Sequence, residues 1–513
     1  MMNSWTAGYV SDVSYTTGYY HELNPARAGI ALLNAGFSLP KIETGCELGF
    51  GQGLSLGIHA SASCCQWWGT DFNPTQAGFA QKLATESRTD TRLFDESFER
   101  FCARPDLPEF DFIGLHGIWS WISEDNRRVI IDFLQRKLKV GGVLYISYNA
   151  QPGRAAMMPM RNLLKHYYEV MPPASTGTLG RIDLAMNFAD QLRGLNPAFL
   201  SSNPGVEVRL DKMKSQPRNY LAHEYFNLDW HPMLFSQVAE SLGSAKLSYA
   251  CSANYFEHVD SLNLTAEQQM FLQEIGDPIL REEVRDFMVN QHFRRDYWIK
   301  GPQQLSAREK QLALGKQKVI LVQPRSSVSL DLECVLGRAS MPERTYSPIL
   351  DVLASHHPLS LDEIASSVKD RGVSFSAVTQ AVLVLLGSGA LQTAQVNESI
   401  AKEISLQTKS LNTFLCERAR FHADISNLAS PVTGGGVEAN RFEQLFLLAL
   451  ANGHIKPEEC AAFAWEILAA AGEKLIQEGR VLESAKANLE ELRKQAAAFF
   501  TQKLPILQAL GIA

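Results

Sequence analysis

The sequence has no excess of positive charge. Its 48 lysines and arginines are outnumbered by 55 aspartates and glutamates, which gives a net charge of −7 and a pI of about 6.0. Non-specific binding of nucleic acid needs a basic surface, so this balance argues against nucleic acid as a partner. The sequence also contains no apolar run long enough for a membrane span, and it shows no secretory signal. We therefore expect no membrane span and a cytoplasmic location.

The eight cysteines are scattered, and none of them forms a C-x-x-C pair. Because this pattern lacks zinc-ligand spacing, we predict no metal site and expect reduced thiols. Low-complexity tracts and internal repeats are also absent. The composition, 45% hydrophobic and 20% charged, is that of a folded globular protein. A chain of 513 residues is long enough for about two to four domains.

The most informative segment that is present is Glu47-Leu-Gly-Phe-Gly-Gln-Gly53, which precedes a helix-like stretch. Its three alternate glycines let the backbone turn tightly and let a ligand approach without an intervening Cβ. The dinucleotide fingerprint, G-x-G-x-x-G, binds a pyrophosphate, whereas this G-x-G-x-G pattern follows an acid. Glu47 would repel a pyrophosphate and favour a cationic ligand. The segment resembles motif I of the class I S-adenosylmethionine-dependent methyltransferases, whose cofactor carries a sulfonium and an ammonium.

Acidic residues close the next two strand-like runs. Asp71 ends the run from Gln66, where a carboxylate suits ribose hydroxyls. Asp95-Glu96-Ser97-Phe98 closes the following run, where an acid beside an aromatic ring suits an adenine. We therefore expect S-adenosyl-L-methionine as the cofactor, held by Glu47, Gly49, Gly51, Gly53, Asp71, Asp95, Ser97, Phe98 and His116.

Strand and helix signals alternate over the first 150 residues, which predicts parallel βαβ units. Five strands are expected near 42–48, 66–71, 90–94, 110–115 and 142–148. The runs 245–251 and 294–300 are expected as a sixth and an antiparallel seventh strand. The predicted fold class is α/β, a doubly wound seven-stranded Rossmann-like sheet over residues 1–302 with a helical insertion over 151–240.

The C-terminal half is predicted to be mostly α-helical. A linker is expected over 303–345, a winged-helix-like domain over 346–395 and a helical domain over 396–513. The third helix of the winged-helix-like segment, Ser376 to Leu386, carries no arginine or lysine, so it would read DNA poorly. We expect this half to be separable from the sheet domain, and either to bind an acceptor protein or to pair subunits as a homodimer.

The fourth strand is followed by His116-Gly-Ile-Trp-Ser-Trp121, at the sheet edge where ligands lie in open parallel sheets. Many enzymes that methylate bases or glutamine carry Asn/Asp-Pro-Pro-Tyr/Phe at this place, and this chain does not. An adenine or glutamine acceptor therefore loses support.

Several segments together resemble a bacterial family of class I methyltransferases that carry a methyltransferase regulatory domain. This family includes lysine methyltransferases that act on outer-membrane proteins. The resemblance implies a methyl-acceptor protein as partner and a regulatory-domain-like segment over about 205–300. It is carried by His116–Trp121, Ser147-Tyr-Asn-Ala-Gln-Pro-Gly153, His223-Glu-Tyr225, Asp286-Phe and His292-Phe-Arg-Arg295, and more weakly by Leu428-Ala-Ser-Pro431.

Methyl transfer to lysine requires a neutral amine, although the reference pKa of lysine is about 10.4. Desolvation in an aromatic channel beside a sulfonium would lower that pKa, and aromatic faces attract methylammonium groups. His116 or His223 could relay the proton, and Asn149 could accept a hydrogen bond from the amine. Candidates for the aromatic lining are Tyr15, Tyr19, Trp119 and Tyr148. The predicted catalytic set is His116, Trp119, Tyr148, Asn149 and His223.

Other interpretations of these residues stay open. Trp119 and Trp121 could simply pack the following helix, and His223-Glu224 could be a local structural pair. The acceptor could be a hydroxyl of a small molecule or glycan, with a histidine as general base. The chain could also be a regulatory or binding protein that keeps a methyltransferase fold without catalysis.

Overall fold

The computed structural model describes residues 6, 8–13, 16–173 and 175–513, and its centre is one seven-stranded sheet. The strand order is β3-β2-β1-β4-β5-β7-β6, in which β7 is antiparallel to both neighbours and the other pairs are parallel. The predicted seven-stranded Rossmann-like sheet with an antiparallel seventh strand is confirmed. The strands are Thr44–Leu48 (β1), Gln66–Thr70 (β2), Arg92–Phe94 (β3), Phe110–Leu115 (β4), Leu138–Asn149 (β5), Leu247–Ser252 (β6) and Phe293–Lys300 (β7).

Five helices accompany the first five strands, and short polar side chains set where most of them begin. Asn24, Asn73, Ser97 and Ser123 each accept a hydrogen bond from a first-turn backbone N–H, which satisfies a donor that the helix leaves unpaired. The turn before the second helix is instead made by glycine. The helices are Pro25–Ala35 (α1), Leu54–Ser61 (α2), Pro74–Ser87 (α3), Phe98–Cys102 (α4) and Glu124–Lys137 (α5).

A helical insertion follows β5, in the region where the sequence predicts one. Its longer helices enclose a separate apolar cluster that includes Met160, Ile182 and Leu210. The helices are Gln151–Arg154 (α6), Met157–Val170 (α7), Thr178–Gly194 (α8), Ala198–Ser202 (α9), Pro204–Ser215 (α10), Arg218–Tyr225 (α11) and Phe235–Gly243 (α12). Three further helices separate β6 from β7, namely Asp260–Asn263 (α13), Ala266–Glu274 (α14) and Pro278–Met288 (α15).

A buried ion cluster joins α15 to the last strand of the sheet. The Arg294 guanidinium is 3% exposed and lies 2.6 Å from Asp286, 2.9 Å from Asp296 and 3.0 Å from Glu282. Asp296 also accepts a hydrogen bond from the Tyr148 hydroxyl at 3.1 Å. Asp286 and Arg294 belong to the family-like motif, so this part of the motif is explained by packing between a helix and the sheet.

The segment predicted as a linker is structured. It contains α16 (Ala307–Gly315), β8 (Lys318–Leu321) and the hairpin of β9 (Asp331–Cys334) and β10 (Gly337–Ser340). The next elements are α17 (Glu343–Leu353), β11 (Leu359–Ser360), α18 (Leu361–Val368), α19 (Phe375–Gly387) and β12 (Leu391–Ala394). β8 pairs antiparallel with both β11 and β12, so it belongs to a three-stranded sheet beside three helices.

The C-terminal segment contains two β-hairpins as well as the predicted helices. β13 (Asn427–Ser430) pairs with β14 (Gly435–Glu438), and β15 (Ile476–Gln477) pairs with β16 (Arg480–Val481). The helices are Glu398–Glu403 (α20), Ser405–Arg418 (α21), Arg441–Ala451 (α22), Pro457–Ala470 (α23), Ala485–Ala498 (α24) and Leu504–Ala509 (α25).

The C-terminal half packs directly onto the sheet domain. Leu54 and Ile58 of α2 share one apolar cluster with Leu411, Leu415 and Leu428. α19, the third helix of the segment predicted to resemble a winged helix, buries most of its side chains in a core that also contains residues of α1 and β7. The expected separation of the two halves is therefore not seen in the packing. Within the described part of the chain, no helix combines the length and the apolar character needed to cross a bilayer.

Candidate functional site

The glycine turn between β1 and α2 has the backbone conformation that only glycine adopts easily. Gly49, Gly51 and Gly53 have φ angles of +73°, +58° and +70°. A Cβ on Gly53 would lie 2.4 Å from the Cβ of Ala80 on α3, and one on Gly49 would lie 2.5 Å from the Ile118 side chain. No atom lies within 4 Å of a Cβ built on Gly51. The turn therefore needs glycine both for its conformation and for close packing.

Glu47 lies near the end of β1, next to this turn, and is 3% exposed. Its Oε2 is buried and has no hydrogen-bond partner among the described residues. Burial and the neighbouring Asp71 carboxylate raise the pKa of Glu47 to about 8. A carboxylate that is desolvated and short of donors is stabilised by a cation, so this position suits an ammonium group.

Asp71 follows β2 and faces the glycine turn. Its carboxylate accepts the backbone N–H of Gly51 at 2.9 Å and that of Asn73 at 2.9 Å. Burial raises its pKa to about 7, against the lowering effect of those two hydrogen bonds. The side-chain amide of Gln76 also faces this carboxylate, and its nitrogen can donate to the two oxygens at 3.1 Å and 3.3 Å. A ligand hydroxyl that binds Asp71 would therefore replace the Gln76 donor.

A cavity of about 470 Å³ opens at this edge of the sheet, beyond the ends of β1, β2, β4 and β5. Aromatic and glycine residues form much of its wall. Its charged lining is mainly acidic, with one guanidinium, Arg154, beside five carboxylates: Glu47, Asp71, Glu96, Glu224 and Asp229. Such a lining favours cationic ligands over anionic ones.

The structure places most of the predicted cofactor residues at this cavity. Those that line it are Glu47, Gly49, Gly51, Gly53, Asp71, Ser97, Phe98 and His116. Asp95 is not among them, because its side chain is exposed, while the next residue, Glu96, lines the cavity and pairs with Arg104 at 2.9 Å. Asp95 therefore does not line the cavity, whereas its neighbour Glu96 does.

His116 follows β4 and lines the cavity. Its ring stacks on Tyr20 with 3.7 Å between ring centroids, and its Nδ1 is 2.8 Å from the Tyr145 hydroxyl. Burial lowers its pKa to about 4, although the charge of Glu22 opposes that shift. The imidazole is therefore uncharged at neutral pH.

Trp119 and Tyr148 do not face the cavity, contrary to the prediction. Both are at most 1% exposed and pack in the apolar core on the other side of β5. Successive side chains of a strand point to opposite faces, so Tyr148 points into the core and Asn149 points into the cavity. Asn149 is 2% exposed, and no hydrogen bond holds its side-chain amide among the described residues.

His223 and Glu224 reach the cavity from α11 of the insertion. The Nε2 of His223 lies 2.9 Å from the Val13 carbonyl, which fixes the ring against the N-terminal segment. Burial lowers the pKa of His223 and raises that of Glu224. Glu224 has no hydrogen bond or ion pair with another described residue. These two neighbours therefore do not form a structural pair with each other.

The aromatic lining differs from the predicted one. Tyr19 faces away from the cavity, and its hydroxyl lies 3.1 Å from His59 Nε2. Tyr15 lies outside the described residues. Trp121 does line the cavity and stacks on Trp230 at 6.1 Å.

Sequence reasoning missed several aromatic residues that line the cavity, which are Tyr9, Tyr20, Phe50, Phe72, Tyr220 and Phe293. Phe72 directly follows Asp71, so its place at the end of β2 was the available signal. Tyr9 and Tyr20 lie in the aromatic-rich N-terminal segment, whose path depends on contacts with residues far along the chain.

Comparisons with known proteins agree with this architecture. Residues 217–300 match the family described as predicted methyltransferase regulatory domain. The chain is 38% identical over 514 residues to the uncharacterized protein sll1526 of Synechocystis, covering 99% of this chain and all of that protein. It is 24% identical over 294 residues to the uncharacterized protein RP789 of Rickettsia prowazekii, covering 55% of this chain and 51% of that protein.

Among solved structures, PKMT2 from Rickettsia typhi in complex with AdoHcy is similar with a TM-score of 0.70 and 17% identity. The similarity covers 97% of this chain and 99% of PKMT2, so the two share one fold over both halves. The 38% identity to sll1526 extends over 99% of this chain and all of that protein. The chain therefore belongs to the family of that Synechocystis protein, and it combines a methyltransferase-type seven-stranded sheet with a methyltransferase regulatory segment.

Proposed function

We propose that this protein transfers a methyl group from S-adenosylmethionine to the side-chain amine of lysine in an acceptor protein. The observation that carries the proposal is the buried Glu47 carboxylate, with an unsatisfied oxygen, beside a glycine turn. The donor's ammonium group supplies the cation that this carboxylate needs. The fold shared with PKMT2, which was solved with AdoHcy, supports the same donor.

The donor end of the cavity would be formed by residues that follow β1, β2 and β3. Glu47 would receive the ammonium group, and Asp71 would accept hydrogen bonds from ribose hydroxyls. Phe98 and Ile118 would enclose the adenine with apolar surface, beside Ser97. The glycines would let the ligand lie directly on the backbone. When bound, S-adenosylmethionine supplies an electrophilic methyl group on a positively charged sulfur.

The acceptor end would be formed by residues after β4 and β5 and by α11. The side-chain oxygen of Asn149 can accept a hydrogen bond from an amine and so orient its lone pair. Glu224, which has no hydrogen bond or ion pair among the described residues, gives a lysine ammonium an anionic partner within the cavity. Burial lowers the pKa values of the His116 and His223 imidazoles, so these uncharged rings can relay the amine's proton towards solvent but do not retain it. The residues that line this end thus bind and orient a cationic amine and offer a path for its proton.

A glycan or small-molecule acceptor is the alternative that the histidines allow. A neutral hydroxyl would gain little from an acidic cavity, whereas a lysine side chain is attracted to it. We therefore favour the protein lysine. We also propose that the C-terminal half either binds the acceptor or pairs two subunits, which light scattering of the purified protein distinguishes.

Incubation of a bacterial lysate with the protein and isotope-labelled S-adenosylmethionine tests the acceptor. We expect mass spectrometry to find the label on lysine side chains of one or a few proteins. A matched reaction with Asp71→Ala should show less label, since loss of the charged hydrogen bonds should weaken donor binding by about 1–3 kcal/mol. Label found only in glycans or small molecules would contradict the lysine assignment, and no binding of S-adenosylhomocysteine at millimolar concentration would contradict the donor.

Donor binding should strengthen as the pH rises from 6 to 8. A cation binds the ionised form of Glu47, and burial keeps this carboxyl protonated up to a pKa of about 8. The stability of the ligand-free protein depends on pH in the opposite direction. The raised pKa stabilises the fold below the unfolded-state pKa, and this contribution is lost as the pH rises towards 8. Calorimetry in buffers of different ionisation enthalpy should therefore show proton release on binding near pH 7. Glu47→Gln should reduce that release, and Asp71, with a pKa of about 7, would account for the remainder; an equal release in this variant would contradict the assignment.

A further inference from the structure

The extended N-terminal segment Thr16–Tyr20 lies between the cavity and the C-terminal half. Thr16, Gly18 and Tyr20 line the cavity, whereas Thr17 and Tyr19 face the other side. Side chains of an extended chain alternate between two faces. This segment, which we call the strap, therefore has an inner face towards the cavity and an outer face towards the C-terminal half.

The outer face of the strap is bound by residues of the C-terminal half. The Tyr19 hydroxyl accepts the backbone N–H of Gly436 at 2.7 Å, and the Thr17 hydroxyl donates to Asp424 at 3.1 Å. Just beyond the strap, the Asn24 side chain donates to the Gly434 carbonyl at 3.2 Å. These contacts span more than 400 positions of sequence, and Gly436 is buried beneath the Tyr19 ring.

The inner face of the strap shapes the cavity. Tyr20 stacks on His116, and its backbone N–H donates to the Ser55 hydroxyl in the first turn of α2 at 2.8 Å. A Cβ on Gly18 would lie 2.8 Å from the Tyr20 hydroxyl, so the glycine leaves room for that ring. A displacement of Tyr19 would therefore move Tyr20, and with it one wall of the cavity.

We propose that the β13–β14 hairpin of the C-terminal half holds the strap in place, with Tyr19 as the positioning residue that transmits this contact to the cavity. The C-terminal half is then part of the donor site and not a separable accessory. This inference rests on the proposed function only for the choice of ligand. Whether the strap is held in place can be measured by hydrogen exchange in the absence of any ligand.

Gly436→Ala tests the proposal from the hairpin side. The new Cβ would lie 2.8 to 3.0 Å from the Tyr19 ring, so Tyr19 must move. We expect faster hydrogen exchange at residues 16–20 without ligand, and about tenfold weaker binding of S-adenosylhomocysteine, since a buried hydrogen bond is lost. Tyr19→Phe removes the hydroxyl alone and should give the same two changes, although it also removes the 3.1 Å contact with His59 Nε2 of α2, so Gly436→Ala is the test specific to the hairpin.

The matched control is Tyr346→Phe, which removes the hydroxyl of a tyrosine of the C-terminal half that is 5% exposed and makes no side-chain hydrogen bond among the described residues. It should leave both readouts unchanged. Unchanged exchange at residues 16–20 in folded Gly436→Ala and Tyr19→Phe proteins would overturn the proposal. Faster exchange with unaltered ligand affinity would overturn the link to the cavity, and absence of ligand binding by the wild-type protein would count against the proposed donor without affecting the exchange result.

Discussion

Replacing Gly53 by alanine is expected to weaken binding of S-adenosylhomocysteine by about 100-fold. At φ +70° a residue with a Cβ is strained by about 1–2 kcal/mol. The new methyl group would also lie 2.4 Å from the Cβ and 3.2 Å from the Cα of Ala80, and overpacking of this kind costs about 1–3 kcal/mol. The turn can relieve the clash only by moving away from α3, which displaces the backbone that the ligand would contact. Both costs destabilise the folded turn, and affinity falls to the extent that the turn relieves them by leaving the position that the ligand needs. Since a factor of ten corresponds to about 1.4 kcal/mol, a 100-fold loss is expected when about 2.8 kcal/mol is relieved in this way.

Two other glycines serve as controls for the Gly53 experiment. Gly36 has φ +90° and no atom within 4 Å of a built Cβ, so Gly36→Ala carries the backbone strain without the clash. It should lower the free energy of unfolding and leave ligand affinity unchanged. Gly51→Ala, at φ +58° with open space around its Cβ, should fall between the two. Calorimetric titration of all three variants measures the affinity. A Gly53→Ala protein with wild-type affinity would show that the turn is not at the donor site.

The sheet and its glycine turn could be predicted because their signals are local. Strands β1, β4 and β5 contain short apolar runs next to turns, and the alternation of the first five strands with helices predicts parallel pairing. The turn after β1 is marked by three glycines, and the acidic Asp71 directly follows β2. These features depend on residues a few positions apart, so the chain shows them before it is folded.

The remainder of the cavity could not be predicted because it depends on which way single side chains point. Tyr148 and Asn149 are neighbours, and only the register of β5 decides that Asn149 faces the cavity. The strap is a stronger case, since Tyr20 reaches His116 through contacts of Tyr19 with a hairpin more than 400 residues away. A boundary drawn at residue 302 from local patterns therefore missed packing that joins both halves.

Replacing Arg294 by methionine should give the largest loss of stability, about 3–5 kcal/mol, because it leaves buried carboxylates without their cation. Arg294 is 3% exposed and pairs with Asp286, Asp296 and Glu282. Burial raises the pKa of Asp286 to about 7 and that of Asp296 to about 6, although Arg294 lowers both. Without the guanidinium these two carboxyls should stay protonated to still higher pH.

The loss should therefore depend on pH, since a protonated carboxyl does not need the guanidinium. Raised pKa values favour the fold at low pH, and this contribution disappears as the pH rises through them, so the effect of Arg294→Met should be larger at pH 8 than at pH 5. Urea denaturation at both pH values measures it. The matched control is Arg338→Met, whose guanidinium is 67% exposed and pairs with Asp331, and which should cost less than about 1 kcal/mol. Equal losses for the two variants, or a larger loss at pH 5, would show that the buried carboxylates do not depend on Arg294, and that the family-like motif of α15 and β7 is retained for another reason.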